Sequence, residues 1–158
     1  MTSTSYLPSE NIVECENLTV IRDSKEILCE ASCCVPRHSL TFLVGENGSG
    51  KTTLVKTILG LLPKLAGNIS ISSEIQQQSK AITGYVPQSV NFPKQLQMTV
   101  TEYLKYTSNI SRKELSTALD RVDFPHSHAN TPITQLSGGQ QQKLLLAAEL
   151  ARDPEILF

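Results

Sequence analysis

Gly45-Glu46-Asn47-Gly48-Ser49-Gly50-Lys51-Thr52 fits the pattern G-x-x-x-x-G-K-[ST] of a phosphate-binding loop. A polyphosphate is a dense anion. What holds it is a set of backbone N–H groups converging at a helix N-terminus, where the helix dipole is positive. Glycines let the chain come that close, Lys51 is placed to reach the β- and γ-phosphates, and the Thr52 hydroxyl to ligate Mg²⁺. The flanks supply the context the motif needs. Ser39–Val44 is a short apolar run expected to be a buried strand. From Thr52 to Leu62 the residues Leu54, Val55, Ile58, Leu59 and Leu62 fall on one helical face, with Pro63 expected to stop the helix.

At 158 residues the chain suits one domain with a real core. With 14 Lys+Arg against 15 Asp+Glu it carries no electrostatic footprint for nucleic acid, and no basic run suggests a lipid surface. The apolar run Leu144–Ala148 is far shorter than a membrane span, and Met1–Glu10 is polar without a signal-type apolar core. These features indicate a soluble cytoplasmic protein. The four cysteines, Cys15, Cys29, Cys33 and Cys34, form no C-x-x-C pair. In Ile27–Val35 the odd positions alternate, so Cys29 and Cys33 are expected to sit inward as small hydrophobes. Metal binding there, or a structural disulfide in a reducing compartment, is not expected.

Residues 1–10 look like a frayed terminus. From Asn11, alternation to Arg22, a turn at Asp23-Ser24 and a return over Lys25–Val35 predict an antiparallel hairpin. Gly67–Ile71 reads as a short strand, Gln76–Gln78 as a solvated connection, and Ile82–Val86 as a strand whose ladder Pro87 ends, presenting Gln88 at its edge. Two helices are expected next, opened by the capping boxes Thr99-x-x-Glu102 and Ser111-x-x-Glu114. Pro125–Pro132 reads as loop, where His126 and His128 are only a weak metal signal without a third ligand. A third helix starts at Leu136-Ser137-Gly138-Gly139-Gln140, capped by Ser137-x-x-Gln140. Its paired glycines fit a place where an anion approaches the backbone. Asp153-Pro154 ends that helix, and Glu155–Phe158 begins an apolar strand.

The order of Gly45–Thr52, Tyr85-Val86-Pro87-Gln88 and Leu136–Gln140 resembles the nucleotide-binding domain of ABC ATPases, and the likeness runs over nearly the whole chain from Asn11. The implied fold is an α/β P-loop NTPase with an N-terminal antiparallel β subdomain and a helical subdomain, about residues 92–150, carrying the signature motif. Residues 11–158 would form that domain. Within the family, the short spacer to Gln88 and the run Pro132–Gln140 look like the ATPase subunit of bacterial high-affinity zinc importers and their manganese/iron relatives.

The resemblance implies ATP and Mg²⁺ as cofactors. Gly45, Glu46, Asn47, Gly48, Ser49, Gly50, Lys51, Thr52 and Thr53 would hold the nucleotide of one copy, and Ser137, Gly138, Gly139 and Gln140 that of the other, in a head-to-tail homodimer. Thr52 and Gln88 would face Mg²⁺, with Gln88 the catalytic position touching metal or attacking water. The implied partners are an integral-membrane permease and, indirectly, a periplasmic metal-binding protein, with the ATPase peripheral on the inner face of the cell membrane. Arg22 stands where an adenine-stacking aromatic is usual, Lys143 where arginine is usual and Ala148 where another arginine is common. Glu155–Phe158 resembles the opening of a Walker B strand, whose aspartate and catalytic glutamate are absent from the sequence. The chain is therefore expected to be incomplete at its C-terminus, to fold poorly and to hydrolyse little alone. Alternatives are a translation-associated twin cassette, a DNA-repair head domain, or a non-functional remnant; the absence of heptads opposes the head domain.

Overall fold

The computed structural model describes residues 10–72 and 83–158. The frayed terminus expected up to residue 10 lies, for residues 1–9, outside the described residues, as do Gln76–Gln78 and Ile82. The chain divides into two compact units, Met1–Gln76 and Gln77–Phe158.

In the first unit, β1 (Asn11–Arg22), β2 (Lys25–Pro36) and β3 (Ala66–Ile71) form an antiparallel sheet in the order β2-β1-β3. The β1–β2 hairpin turns through Asp23 and Ser24, both at positive φ, 50° and 60°, as a two-residue turn matched to strand twist requires. The buried side of β1 switches parity, from Val13 and Cys15 to Leu18 and Val20. A bulge at Asn17, φ 49°, accounts for the switch, and the ladders to both neighbours shift register there.

A second irregularity at Glu30, φ 45°, corrects the inward alternation expected for β2. Leu28 is buried, whereas Cys29 and Cys33 are exposed. One extra residue at Glu30 exchanges the faces, which puts Leu28 inside in place of Cys29; Cys33, beyond it, keeps the face of Cys15 and is exposed on an edge strand. Leu18, Val20 and Leu28 make the core of this unit, joined by Ala31, Ile69 and Leu54 of the first helix.

That helix, α1 (Lys51–Ile58), is shorter than expected. Gly60, at φ 72°, ends it: its N–H bonds Thr57 O at 3.0 Å and Leu61 N–H reaches back to Lys56 O at 2.8 Å. This pair of bonds is a glycine C-terminal cap, and the helix stops before Pro63 can act. The expected buried strand Ser39–Val44 is a further correction. The segment has no ladder partner among the described residues, and Leu40, Phe42 and Val44 are 80%, 77% and 86% exposed. A run of this composition is buried only when neighbouring strands and covering helices enclose it, and the antiparallel sheet of this unit does not pair with it.

In the second unit, α2 (Val100–Ser108), α3 (Arg112–Asp120) and α4 (Gly138–Ala151) enclose a core that includes Leu104, Leu119, Phe124, Ile133 and Leu144. All three helices open with the reciprocal capping boxes expected from Thr99/Glu102, Ser111/Glu114 and Ser137/Gln140. Short 3₁₀ turns, His126–His128 and Ile133–Gln135, lead into α4. Two short strands, β4 (Thr83–Gly84) and β5 (Ile156–Leu157), pair in parallel, extended by Val86 N–H to Phe158 O at 2.8 Å. No helix among the described residues is long and apolar enough to cross a membrane.

Two expectations follow. At Gly67, φ 93°, an added Cβ would lie 2.5 Å from Asn17 O and 2.6 Å from Glu16 O. Gly67→Ala should therefore lower stability by about 2–3 kcal/mol in urea denaturation followed by circular dichroism, from backbone strain and displacement of the bulged carbonyls. Hydrogen bonds hold the Glu102 carboxyl below the usual range, chiefly from the Thr99 backbone N–H, and the Glu114 carboxyl likewise, chiefly through Ser111. A depressed folded value contributes stability above the unfolded pKa, about 4.3, that is lost as pH falls through the folded value. Glu102→Gln with Glu114→Gln should lower stability at neutral pH and flatten its fall below about pH 4, in urea denaturation followed by circular dichroism across that range.

Candidate functional site

The phosphate-loop residues lie in the first unit. The loop turns with Ser49 N–H on Glu46 O at 3.2 Å, and Gly48 and Gly50 take φ of 86° and 90°. These are left-handed conformations that glycine alone adopts freely. Gly50 is the N-cap of α1 and offers no side-chain cap. The first helical N–H groups, at Lys51, Thr52 and Thr53, have no intrahelical acceptor, as at any helix start, and add to the positive end of the dipole. Lys51 Nζ donates to Gly45 O at 2.7 Å, Glu46 O at 2.6 Å and Ser49 Oγ at 3.5 Å, so the loop encircles the ammonium. These three oxygens take the three protons of the ammonium, while the N–H groups of residues 51–53 stay unbonded within the helix.

Space is used unevenly around it. A Cβ on Gly50 would come within 2.8 Å of Leu28 Cδ2 and 3.2 Å of Ile27 O, so this glycine seats the loop on β2. At Gly48 a Cβ would meet nothing within 4 Å, and only the dihedral demands glycine. Arg22, at the end of β1, is exposed and 3.8 Å from Asp23 Oδ2 through its Nε, an ion pair of little energetic weight.

Gln88 and the signature residues lie in the second unit. Gly84 of β4 is packed tightly, since a Cβ there would sit 2.9 Å from Leu157 Cδ1, and Gln88 follows four residues after Gly84. At α4 the Ser137 hydroxyl accepts from Gln140 N–H at 3.3 Å while Gln140 Oε1 accepts from Ser137 N–H at 2.9 Å. A Cβ on Gly138 or Gly139 would meet nothing within 4 Å, so the face of this helix start is open. Beside it lies an open cleft of about 660 Å³, bordered by Ser137, Gly139, Gln140, Lys143, Asp123 and His126 among others. Its polar side chains are paired: His126 Nε2 lies 2.6 Å from Asp120 Oδ1, and Lys143 Nζ donates to Asp123 O at 2.8 Å and Asp123 Oδ2 at 3.4 Å. His128 turns elsewhere, its Nδ1 3.2 Å from Ser127 Oγ and its ring edge-on to Phe124.

Gln142 is the residue that sequence reasoning missed. Its side-chain amide donates to Pro87 O at 3.2 Å and to Gln88 O, tying the Gln88 segment to the signature helix. Only the density of glutamines at 140–142 hints at it. Neighbouring Gln141 bonds nearby carbonyls instead, Ile133 O and Leu136 O, both at 3.3 Å.

The sequence profile described as "ABC transporter" matches residues 28–158. The chain belongs to the ABC transporter family. Among ABC proteins it is 38% identical over 157 residues to the manganese transport system ATP-binding protein MntB of Bacillus subtilis, covering 92% of this chain and 62% of that one. It is 33% identical over 146 residues to the zinc import ATP-binding protein ZnuC of Pasteurella multocida, covering 92% and 53%. The chain thus spans 53% to 62% of the length of these two relatives. In structure it is similar to CbiO1 of Clostridium perfringens, part of the ABC transporter complex CbiONQ, with TM-score 0.73 and 24% identity over 94% of this chain and 64% of that one. It is also similar to an ATP-bound bacterial Atm1-family ABC exporter, with TM-score 0.75 and 26% identity over 96% and 29%. The fold is that of an ABC ATPase, with its N-terminal antiparallel sheet and helices bearing the signature.

Gln142→Ala removes both bonds to the Gln88 segment. Amide hydrogen exchange at Val86 and Gln88 should quicken, with a loss of about 1 kcal/mol in global stability.

Proposed function

We propose that the chain is the ATP-binding subunit of an ABC importer of a divalent metal ion, zinc. The observation that carries this is the cradle at Gly45–Thr53, with left-handed glycines and the Lys51 ammonium fixed at its centre, in one chain with a glycine-started helix capped by Ser137 and Gln140. The names of the relatives, manganese transport and zinc import, support the metal-ion class.

ATP fits the cradle, because its phosphates are the anion that such donors and an ammonium select. Thr52 and Gln88 would hold Mg²⁺, which when bound neutralises charge on the phosphates. Lys51 gives a point charge to the terminal phosphates, and the N–H groups of residues 51–53 orient them. Gln88 orients water through its amide but takes no proton from it. We therefore expect nucleotide binding, not turnover, from residues 1–158 taken alone. Two copies pair head to tail, so that Ser137, Gly138, Gly139 and Gln140 of one close over the nucleotide held by the other. The open face at Gly138 and Gly139 supports that closure. Gln88 then reports nucleotide state to an integral-membrane permease, which a periplasmic metal-binding protein supplies, while the ATPase stays cytoplasmic on the inner face of the membrane. The near balance of 14 basic and 15 acidic residues speaks against a nucleic-acid partner. No further observation favours a translation-associated cassette.

Calorimetric titration of Mg·ATP tests the cradle. Lys51→Ala should weaken binding by ten- to a hundredfold, on the order of the 1.5–3 kcal/mol of a charge-assisted contact; equal affinity in both proteins would reject it. Co-purification with a polytopic membrane protein supports transport, and ribosome association opposes it.

A further inference from the structure

Cys15 and Cys33 are register partners across the antiparallel pair β1–β2. Directly opposed residues project to the same face with Cα atoms about 4.5–5.5 Å apart. That separation lies inside the roughly 4.4–6.8 Å window a disulfide requires. The Cys33 sulfur is near enough to the Cys15 thiol to act on its ionisation. They differ in access, because β1 is the central strand and β2 an edge: Cys15 is 3% exposed, whereas Cys33 is exposed. Burial, with the Cys33 sulfur beside it, pushes the Cys15 thiol up to about 12, so Cys15 is held as the protonated partner. Cys33 is the sulfur that a solvent oxidant meets first.

The remaining thiols are placed differently. Cys34 is the register partner of Glu14 and projects to the opposite face from Cys33. Cys29 lies on the other side of the irregularity at Glu30, with no register partner of its own.

We infer that Cys15 and Cys33 are a peroxide-oxidisable dithiol, a modification site that converts to a disulfide stapling β1 to β2. The Cys33 sulfur attacks hydrogen peroxide, the O–O bond breaks, and Cys33 sulfenic acid and water form. The Cys15 sulfur then attacks the Cys33 sulfur. The S–O bond breaks, and the leaving hydroxide takes the Cys15 proton as a second water. Two thiols lose two electrons in total, and one peroxide is reduced to two waters. The new bond closes a loop holding both bulges and the hairpin turn, and so fixes the register of the strand against which Gly50 is seated. This inference stands on the sheet alone and does not depend on nucleotide binding.

The test treats the whole 158-residue chain with hydrogen peroxide, alkylates free thiols under denaturing conditions, and maps the non-reduced digest by mass spectrometry. The expected product is a Cys15–Cys33 linked peptide within one chain, absent after dithiothreitol, with Cys29 and Cys34 alkylated. The double variant Cys29→Ser with Cys34→Ser, altering only exposed positions, should lose its thiol titre on oxidation and regain it on reduction. Recovery of alkylated Cys15 from the oxidised protein overturns the inference. So does Cys33 joined to Cys29, Cys34 or another chain, or Cys33 found only as a sulfinic acid.

Discussion

The approach of Gly50 to β2 is the constraint on which the phosphate loop depends. An anion cradle made of backbone groups is only as well defined as the backbone that carries it, and this loop, exposed over Gly45–Ser49, has little packing of its own. It is fixed at its exit, where Gly50 lies against Leu28 and the Ile27 carbonyl, and one turn later, where Leu54 joins Leu18, Val20 and Leu28. A side chain at residue 50 would push the helix start off the sheet and scatter its N–H groups. The N-terminal antiparallel sheet is thus the mechanical base of the loop and of the helix it opens.

How much of this is legible in the sequence varies with the range of the forces involved. Local chemistry is legible: the three capping boxes, the hairpin turn at Asp23-Ser24 and the glycine pattern of the loop all involve partners within a few residues, so the code for each is contiguous. What depends on a distant partner is not. Ser39–Val44 has the composition of a buried strand, but burial belongs to its neighbours and cannot be encoded in the run itself. Cys29 faces outward because one residue with a left-handed dihedral at Glu30 exchanges inside and outside of β2 there. The matching bulge at Asn17 left a visible trace, the parity change from Cys15 to Leu18. Gln142 shows the same limit in the site, since nothing near it in sequence reveals that its partners are the carbonyls of Pro87 and Gln88.

The second unit uses one local device in two forms. Thr99/Glu102 and Ser111/Glu114 close their helices with a carboxylate. Ser137/Gln140 closes α4 with the same geometry and a neutral amide. The reciprocal pair of bonds is common to all three, Thr99 Oγ1 adding a further one to the Glu102 carboxylate, and only the cap at Gln140 carries no charge.

That difference has an electrostatic consequence. A carboxylate at residue 140 would complete the cap equally well, and by ordinary helix statistics would be a sound choice. It would also place a full negative charge within the first turn and cancel the positive end of the dipole that faces the open ground before Gly138 and Gly139. With an amide in its place the helix start is tied down without a charge of its own in the first turn, and the dipole there is left as the backbone makes it.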